Sequence, residues 1–283
     1  MKPMKQILFL ALSVITLLSC KKSEIQSATI KKSIIQVNQK ATEVAYAEGE
    51  LGTIVYVSGY NSELDNWNYM YNMHDGRYGF FAYNRPGVGK SENVQGVRNA
   101  TVIVNELKKV LDAVNAKPPY TLVGHSMGGI YARLFYHKYP TLVKGIILVD
   151  ATHERQLDTL MTMIPADKRQ EFSAILEEQL NQALAVMPDG AVKEEFRSNF
   201  KDNYAIIKNF PPITELPMAV LTSIKPSSEE PAPIKAIIEA LHREWATAAG
   251  SKGWFIATSN SGHYIQLDEP KLVRSGVEWI LNQ

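Results

Sequence analysis

A serine in a turn framed by two glycines is the residue best placed to act as a nucleophile. The run Tyr120–Val123 has the composition of a buried strand, and Gly-His-Ser-Met-Gly at residues 124–128 leads from it into an apolar segment with helical spacing. The glycines leave room for a sharp turn that lifts the hydroxyl of Ser126 clear of the sheet. The first N–H groups of a helix favour negative charge. We therefore expect Ser126 to attack an electrophilic carbon and the Met127 amide to hold the resulting oxyanion.

A serine hydroxyl is a weak nucleophile near neutral pH, so the site requires a base. His263 follows Gly262 and the β-rich run Trp254–Ala257, which places it on a loop after a strand. We predict that His263 is the base. His153 lies close to a strand end. The other four histidines lie in segments without catalytic context or are expected to pack: His74, His125, His137 and His242.

The elements that must position these residues alternate between strand and helix. Helical spacing occurs at Val102–Val114, Gly129–Tyr139, Ile234–Ala248 and near Leu272–Leu281. The β-rich runs are Thr42–Ala47, Thr53–Val57, Phe80–Tyr83, Tyr120–Val123, Gly145–Val149, Met218–Leu221 and Trp254–Ala257. This order predicts an α/β fold with a mostly parallel sheet, helices on both faces and a ligand site beyond the carboxyl ends of the strands.

The interval from about residue 153 to residue 215 interrupts the alternation, since it contains helical stretches and no convincing strand. We predict a helical insertion here. Its apolar residues are expected mainly to bury it against the core, while a few of them overhang the strand ends and contact substrate. These residues are Leu157, Leu160, Met161, Met163, Ile164, Phe172, Ile175, Leu176, Leu180 and Leu184.

Three further segments resemble the α/β-hydrolase fold superfamily. They run from Phe81 to Ser91, from Val55 to Tyr60 and from Ser261 to Pro270, and with the nucleophile turn the resemblance extends over nearly all of the chain after about Thr42. It implies an eight-stranded type of sheet in a domain of residues 41–283, with a helical cap at about 153–215 after the sixth strand. It also implies that the amide of Tyr60 is the second oxyanion donor.

Asn84 departs from the family pattern, which has aspartate at this position. We expect the loss of one structural ion pair and no loss of chemistry.

The acid that orients His263 is left open between three carboxylates. The family most often places it in the loop after the strand at Met218–Leu221, where this chain has only Glu229 and Glu230. Some members instead use the end of the preceding strand, which is Asp150 here. We favour Asp150, with Glu229 or Glu230 as alternatives, and a serine–histidine pair without an acid is also considered.

The predicted activity follows from the type of nucleophile. Serine rather than aspartate argues against the haloalkane dehalogenase and epoxide hydrolase branches, and it implies an acyl-enzyme. We predict a carboxylic-ester hydrolase, resembling esterases and lipases, that acts on a small or medium ester without cofactor or metal. The alternatives are an aminopeptidase, lactonase, thioesterase or carbon–carbon hydrolase on the same machinery, or an inactive binding lipoprotein.

Composition excludes several other classes. The 283 residues contain 30 Lys and Arg against 29 Asp and Glu, so no nucleic-acid partner is indicated. The chain has a single cysteine, Cys20, and no metal-ligand spacing.

The first 40 residues are predicted to lie outside the catalytic domain. Lys2 and Lys5 precede the apolar run Ile7–Leu18, which has the length of a signal-peptide core. The following Leu-Leu-Ser-Cys resembles a bacterial lipobox. We predict a signal peptide at residues 1–19, a lipid on Cys20 that anchors an exported protein to a membrane of the cell envelope, and a polar tether at 20–40. The alternative is a plain signal peptide or an uncleaved anchor.

Overall fold

The computed structural model describes residues 29–72, 74 and 76–283. The predicted signal peptide, Cys20 and the first part of the predicted tether lie outside these residues.

Eight strands form one sheet in the order β1-β2-β4-β3-β5-β6-β7-β8. The first two strands run antiparallel to their neighbours, and the strands from β4 across to β8 are parallel. Their bounds are β1 Lys31–Val37, β2 Lys40–Ala47, β3 Thr53–Val57, β4 Gly79–Tyr83, β5 Tyr120–His125, β6 Val143–Val149, β7 Met218–Ser223 and β8 Gly253–Thr258. The predicted α/β fold with a mostly parallel sheet is confirmed.

The seven predicted strands occur within two residues of their expected bounds. The structure adds β1, which pairs antiparallel with β2. The expectation that residues 20–40 form only a tether is therefore wrong for its last part, because Lys31–Val37 belongs to the sheet. Most side chains of this edge strand are exposed, so its sequence lacks the apolar run that identifies a buried strand.

Helices cover both faces of the sheet. Their bounds are α1 Asn68–Tyr71, α2 Ala100–Ala113, α3 Gly128–Lys138, α4 Gln156–Met161, α5 Arg169–Val186, α6 Ala191–Lys201, α7 Asn203–Lys208, α8 Ala232–Ala248, α9 Ile265–Asp268 and α10 Pro270–Leu281. Helices α2, α3 and α8 pack in one apolar core, and α1 and α10 pack in the core on the opposite face. None of these helices is long and apolar enough to cross a membrane.

Helix α2 shows how sequence spacing fixes one of these faces. It begins after Asn99, whose side chain accepts a hydrogen bond from the N–H of Val102, and this cap satisfies one of the free donors of the first turn. Ile103, Leu107 and Val110 recur at intervals of three and four residues, and all are buried. The stripe that they form packs in the apolar core that α2 shares with α3 and the sheet.

The helical cap consists of α4 to α7, which lie between β6 and β7 as predicted. The expectation that most of its apolar residues bury it against the core is wrong. In α5 only Leu180 and Leu184 are buried, while Ile175 is 47 % exposed and Met163, before the helix, is 48 % exposed. Helices α4 and α5 therefore leave part of their apolar surface open.

Candidate active site

Ser126 occupies the sharp turn between β5 and α3. Its φ of 53° lies in the left-handed region, which non-glycine residues seldom adopt. The turn is fixed on both sides, since the N–H of Ser126 donates to the carbonyl oxygen of Val149 at 3.2 Å and its own carbonyl oxygen accepts from the N–H of Thr152 at 3.0 Å. A Cβ atom on Gly128 would lie 2.1 Å from the carbonyl oxygen of Val57. The sequence therefore needs glycine there for helix α3 to begin so close to β3.

His263 forms a hydrogen bond with Asp150, from Nδ1 to Oδ2 at 2.8 Å. Asp150 follows β6, and its other oxygen, Oδ1, accepts from the N–H of Ser223 at 3.0 Å. Because a carboxylate only accepts, Nδ1 of His263 carries the hydrogen and Nε2 remains able to accept a proton. The structure thus brings Asp150 and His263 together in the arrangement that a base requires.

The environment of Asp150 favours its charged form. Burial raises the pKa of the Asp150 carboxyl, but the hydrogen bond from His263 and the positive charge of Lys235 outweigh burial, so the pKa lies below its ordinary value. A charged carboxylate stabilises the imidazolium that forms when His263 takes a proton.

The two alternative acids lie elsewhere. Glu229 is exposed, and its Oε1 accepts from the hydroxyl of Ser228 at 2.8 Å. Glu230 forms an ion pair with Lys235 at 2.5 Å. The structure brings neither glutamate to His263.

The backbone after β3 approaches the serine closely. A Cβ atom on Gly59 would lie 3.0 Å from the Cβ atom of Ser126. The predicted oxyanion donors are the amides of the next residue, Tyr60, and of Met127. Within the described part of the chain, neither amide donates a hydrogen bond to a protein group. Both are therefore available to an oxygen bound beside Ser126.

Arg85 holds this loop in place. Its guanidinium donates to the carbonyl oxygen of Ser58 at 2.8 Å and to that of Gly59 at 2.5 Å. Its Nε donates to Oε2 of Glu195, on cap helix α6, at 3.0 Å. One buried side chain thus connects the loop that carries the oxyanion donor to the cap.

Asn84 has a bracing function of its own. Its Nδ2 donates to Oε2 of Glu43 at 2.8 Å, and its Oδ1 accepts from the N–H of Leu64 at 2.6 Å. Glu43 is buried, so an aspartate beside it would place two carboxylates in contact. The amide accounts for the departure from the family pattern, because it neither repels Glu43 nor leaves Leu64 without an acceptor.

Two histidines that the sequence gives no catalytic role, His125 and His242, contact residues beside the site. Nε2 of His125 lies 2.9 Å from the carbonyl oxygen of His263, to which it donates. Burial and the neighbouring His263 lower the pKa of His125 to about 3, so the ring is neutral. His242 is fully buried, and its Nε2 donates to the carbonyl oxygen of Ala151 at 2.6 Å. Sequence spacing gave no sign of either contact, since the partners are far apart in the chain.

The cap contains a largely apolar cavity of about 600 Å³, within the range of ligand pockets. One of its walls is Phe196, whose ring lies 5.4 Å from the ring of Tyr60. Its other lining residues are Leu157, Asp158, Met161, Ser173, Leu176, Glu177, Gln179, Leu180, Ala183 and Phe200. The cavity therefore adjoins the residue that carries the predicted oxyanion donor.

A second cavity, of about 460 Å³, lies between α3, α7 and α8. Neither cavity is lined by Ser126, Asp150 or His263. His153 lines the second cavity and stacks on Trp245 at 4.5 Å. Among the described residues, no cluster of three His, Cys, Asp or Glu side chains could hold a metal ion.

Comparison with known proteins gives the same architecture. Residues 52–190 match the family model described as alpha/beta hydrolase fold. The uncharacterized protein YqjL of Bacillus subtilis is 28% identical over 239 residues, which cover 84% of this chain and 87% of YqjL. An esterase of Thermogutta terrifontis matches with a TM-score of 0.58 and 15% identity, over 89% of this chain and 98% of the esterase. A mutant epoxide hydrolase of Vigna radiata matches with a TM-score of 0.60 and 13% identity, over 90% and 99% of the two chains.

Proposed function

We propose that this chain, which has the fold of the α/β-hydrolase family, is a serine hydrolase that cleaves carboxylic esters through an acyl-enzyme. The observation that carries the proposal is the 2.8 Å hydrogen bond between Asp150 and His263, together with Ser126 in a strained turn at the start of α3. A nucleophile, an oriented base and free amide donors are the parts that acyl transfer requires.

In the proposed mechanism, Nε2 of His263 takes the proton of the Ser126 hydroxyl as Oγ bonds to the ester carbonyl carbon. The amides of Tyr60 and Met127 stabilise the oxyanion. The tetrahedral intermediate collapses when the bond to the alkoxy oxygen breaks, and the alcohol leaves with the proton from His263. Water then attacks the acyl-enzyme with His263 again as base, which releases the acid and restores Ser126.

The cap cavity supports a substrate whose acyl group is apolar and binds in that cavity. Its walls are mostly apolar, and Phe196 connects it to Tyr60. An acyl chain that extends from the carbonyl carbon at Ser126 into this cavity buries its apolar surface away from water, which favours binding. We infer an ester with an acyl group of medium length.

Hydrolysis of a p-nitrophenyl ester series from acetate to decanoate tests the proposal. We expect turnover by the wild type and its loss in Ser126→Ala and His263→Ala, with a fall of about 10³-fold or more in Asp150→Asn, since that change removes the group that orients the base. Glu229→Gln is the matched control, and it is expected to keep wild-type activity because its side chain is exposed. Equal rates in wild type and Ser126→Ala contradict the proposal, and a wild type without turnover of any ester directs the search to amides or to a binding function.

We also propose that the protein is exported and anchored through a lipid on Cys20. Residues 21–30 alone then separate the anchor from the sheet, because β1 begins at Lys31. Metabolic labelling with a palmitate analogue tests this, with Cys20→Ser as control. Label that is equal in the two chains rules out this site of lipidation.

A further inference from the structure

A buried lysine lies beside the carboxylate that orients His263. Lys235 belongs to the first turn of α8, and its side chain is 4 % exposed. Positive charge at the start of a helix opposes the helix dipole. A buried ammonium also needs carboxylates nearby to compensate for lost hydration. Two unfavourable effects thus coincide at this position, and helix stability gives no reason for lysine here.

The ammonium of Lys235 lies between two carboxylates. Its Nζ is 3.7 Å from Oδ2 of Asp150 and 2.5 Å from Oε2 of Glu230, the latter as an ion pair without the alignment of a hydrogen bond. The same Oδ2 accepts the hydrogen bond from His263. In the described part of the chain, His263 and Lys235 are the two basic side chains that pair with Asp150.

We propose that Lys235 is a positioning residue that acts through Asp150. Its ammonium offsets part of the negative charge with which Asp150 stabilises the imidazolium of His263, and so limits how strongly that carboxylate favours the protonated ring. Glu230 limits this effect, because its carboxylate offsets part of the charge of Lys235. The proposal depends on His263 being the base of the proposed hydrolase.

Other titratable groups also surround this pair. The rings of His125 on β5 and of the adjacent Tyr264 contact His263, and Asp268 on α9 accepts from the N–H of Gly262. His242 on α8 lies beside this pair, since its Nε2 donates to the carbonyl oxygen of Ala151, the residue after Asp150. The variants below leave all of these groups in place, so a change in titration reports Lys235 and Glu230.

NMR titration of histidine-labelled full-length protein tests the proposal without need of turnover. We expect the midpoint of the His263 titration to rise by about one pH unit in Lys235→Met, because methionine preserves the side-chain length and removes the charge. In Glu230→Gln we expect a fall of about half a unit, and in the double variant a return to within about 0.3 units of wild type. Lys225→Met is the matched control, since Lys225 is an exposed lysine of the neighbouring loop.

The acidic limb of the kcat/KM profile is expected to move with the NMR midpoint. The proposal is overturned if Lys235→Met moves the midpoint no further than Lys225→Met, or if the double variant does not return toward wild type. Should Lys235→Met fail to fold, Glu230→Gln decides through its opposite shift, because the Glu230 side chain is already 31 % exposed. The expected NMR shifts in a chain without hydrolytic activity would refute the proposed function and leave the charge coupling standing.

Discussion

The buried ion pair between Arg85 and Glu195 gives the sharpest prediction about what holds the cap on the sheet. The two side chains are 2 % and 3 % exposed, and Nη2 of Arg85 lies 2.9 Å from Oε1 of Glu195. Burial lowers the pKa of the Arg85 guanidinium, but Glu195 raises it above the ordinary value, so the cation persists. The hydroxyl of Tyr131 also donates to Glu195, at 3.0 Å.

Glu195→Gln leaves the guanidinium buried without its counter-charge. Removal of one partner from a buried pair costs about 3–5 kcal/mol. We expect the lower end, a loss of about 3 kcal/mol in the free energy of unfolding, because the carbonyl oxygens of Ser58 and Gly59 still accept from Arg85. The glutamine oxygen also remains able to accept a hydrogen bond.

Urea unfolding at neutral pH, followed by circular dichroism, measures this loss. Glu194→Gln is the matched control on the same helix, since Glu194 pairs with Arg197 at 3.5 Å near the surface and its side chain is 29 % exposed. We expect this control to lose less than about 0.5 kcal/mol. A difference between the two variants below about 1 kcal/mol would show that the buried pair does not hold the cap as argued.

Three further predictions concern the cap cavity, the oxyanion loop and pH. Leu176→Trp should lower kcat/KM for octanoate esters at least about tenfold and leave acetate esters within about twofold, because the larger ring fills part of the cavity that Leu176 lines; equal effects on both esters refute this. Gly59→Ala should lower kcat about 100-fold with an unchanged circular dichroism spectrum, since its Cβ would contact Ser126; wild-type kcat refutes that contact. Burial lowers the pKa of His242 to about 4, so stability present above pH 6.5 declines as pH falls toward 4. His242→Gln should therefore flatten the dependence of unfolding free energy on pH between 6 and 5 by about 1.2 kcal/mol per unit, and an unchanged slope refutes a buried neutral His242.

The sequence predicted the parallel strands well because each reads as a nearly continuous apolar run, and β3 to β7 are buried on both faces. It failed for β1, where Lys31, Lys32 and Ser33 leave the edge strand largely exposed. It also misjudged the cap, since helical spacing in α5 indicates an apolar face without saying whether that face meets the core or an open cavity. Leu176 lines the cap cavity, whereas its neighbour Ile175 is exposed.

The candidate site was predictable in so far as local sequence determines it. The turn at Ser126 and the loop position of His263 follow from neighbouring residues. Asp150 is indicated only by the family resemblance, which leaves Glu229 and Glu230 open. The contacts that support them join distant segments: Arg85 and Glu195 are 110 residues apart, and His125 and His263 are 138 apart. Such pairs depend on how the cap and loops pack over the sheet, which no local pattern specifies.

The central claim is that the hydroxyl of Ser126 is activated for acyl transfer. The most direct test is to treat the purified protein with a fluorophosphonate probe, measure its intact mass and map the modified peptide. We predict one adduct per chain, located on Ser126, that forms at least about 100-fold more slowly in His263→Ala because the base is missing. No adduct on the folded wild type, or an adduct on a different residue, would contradict the account.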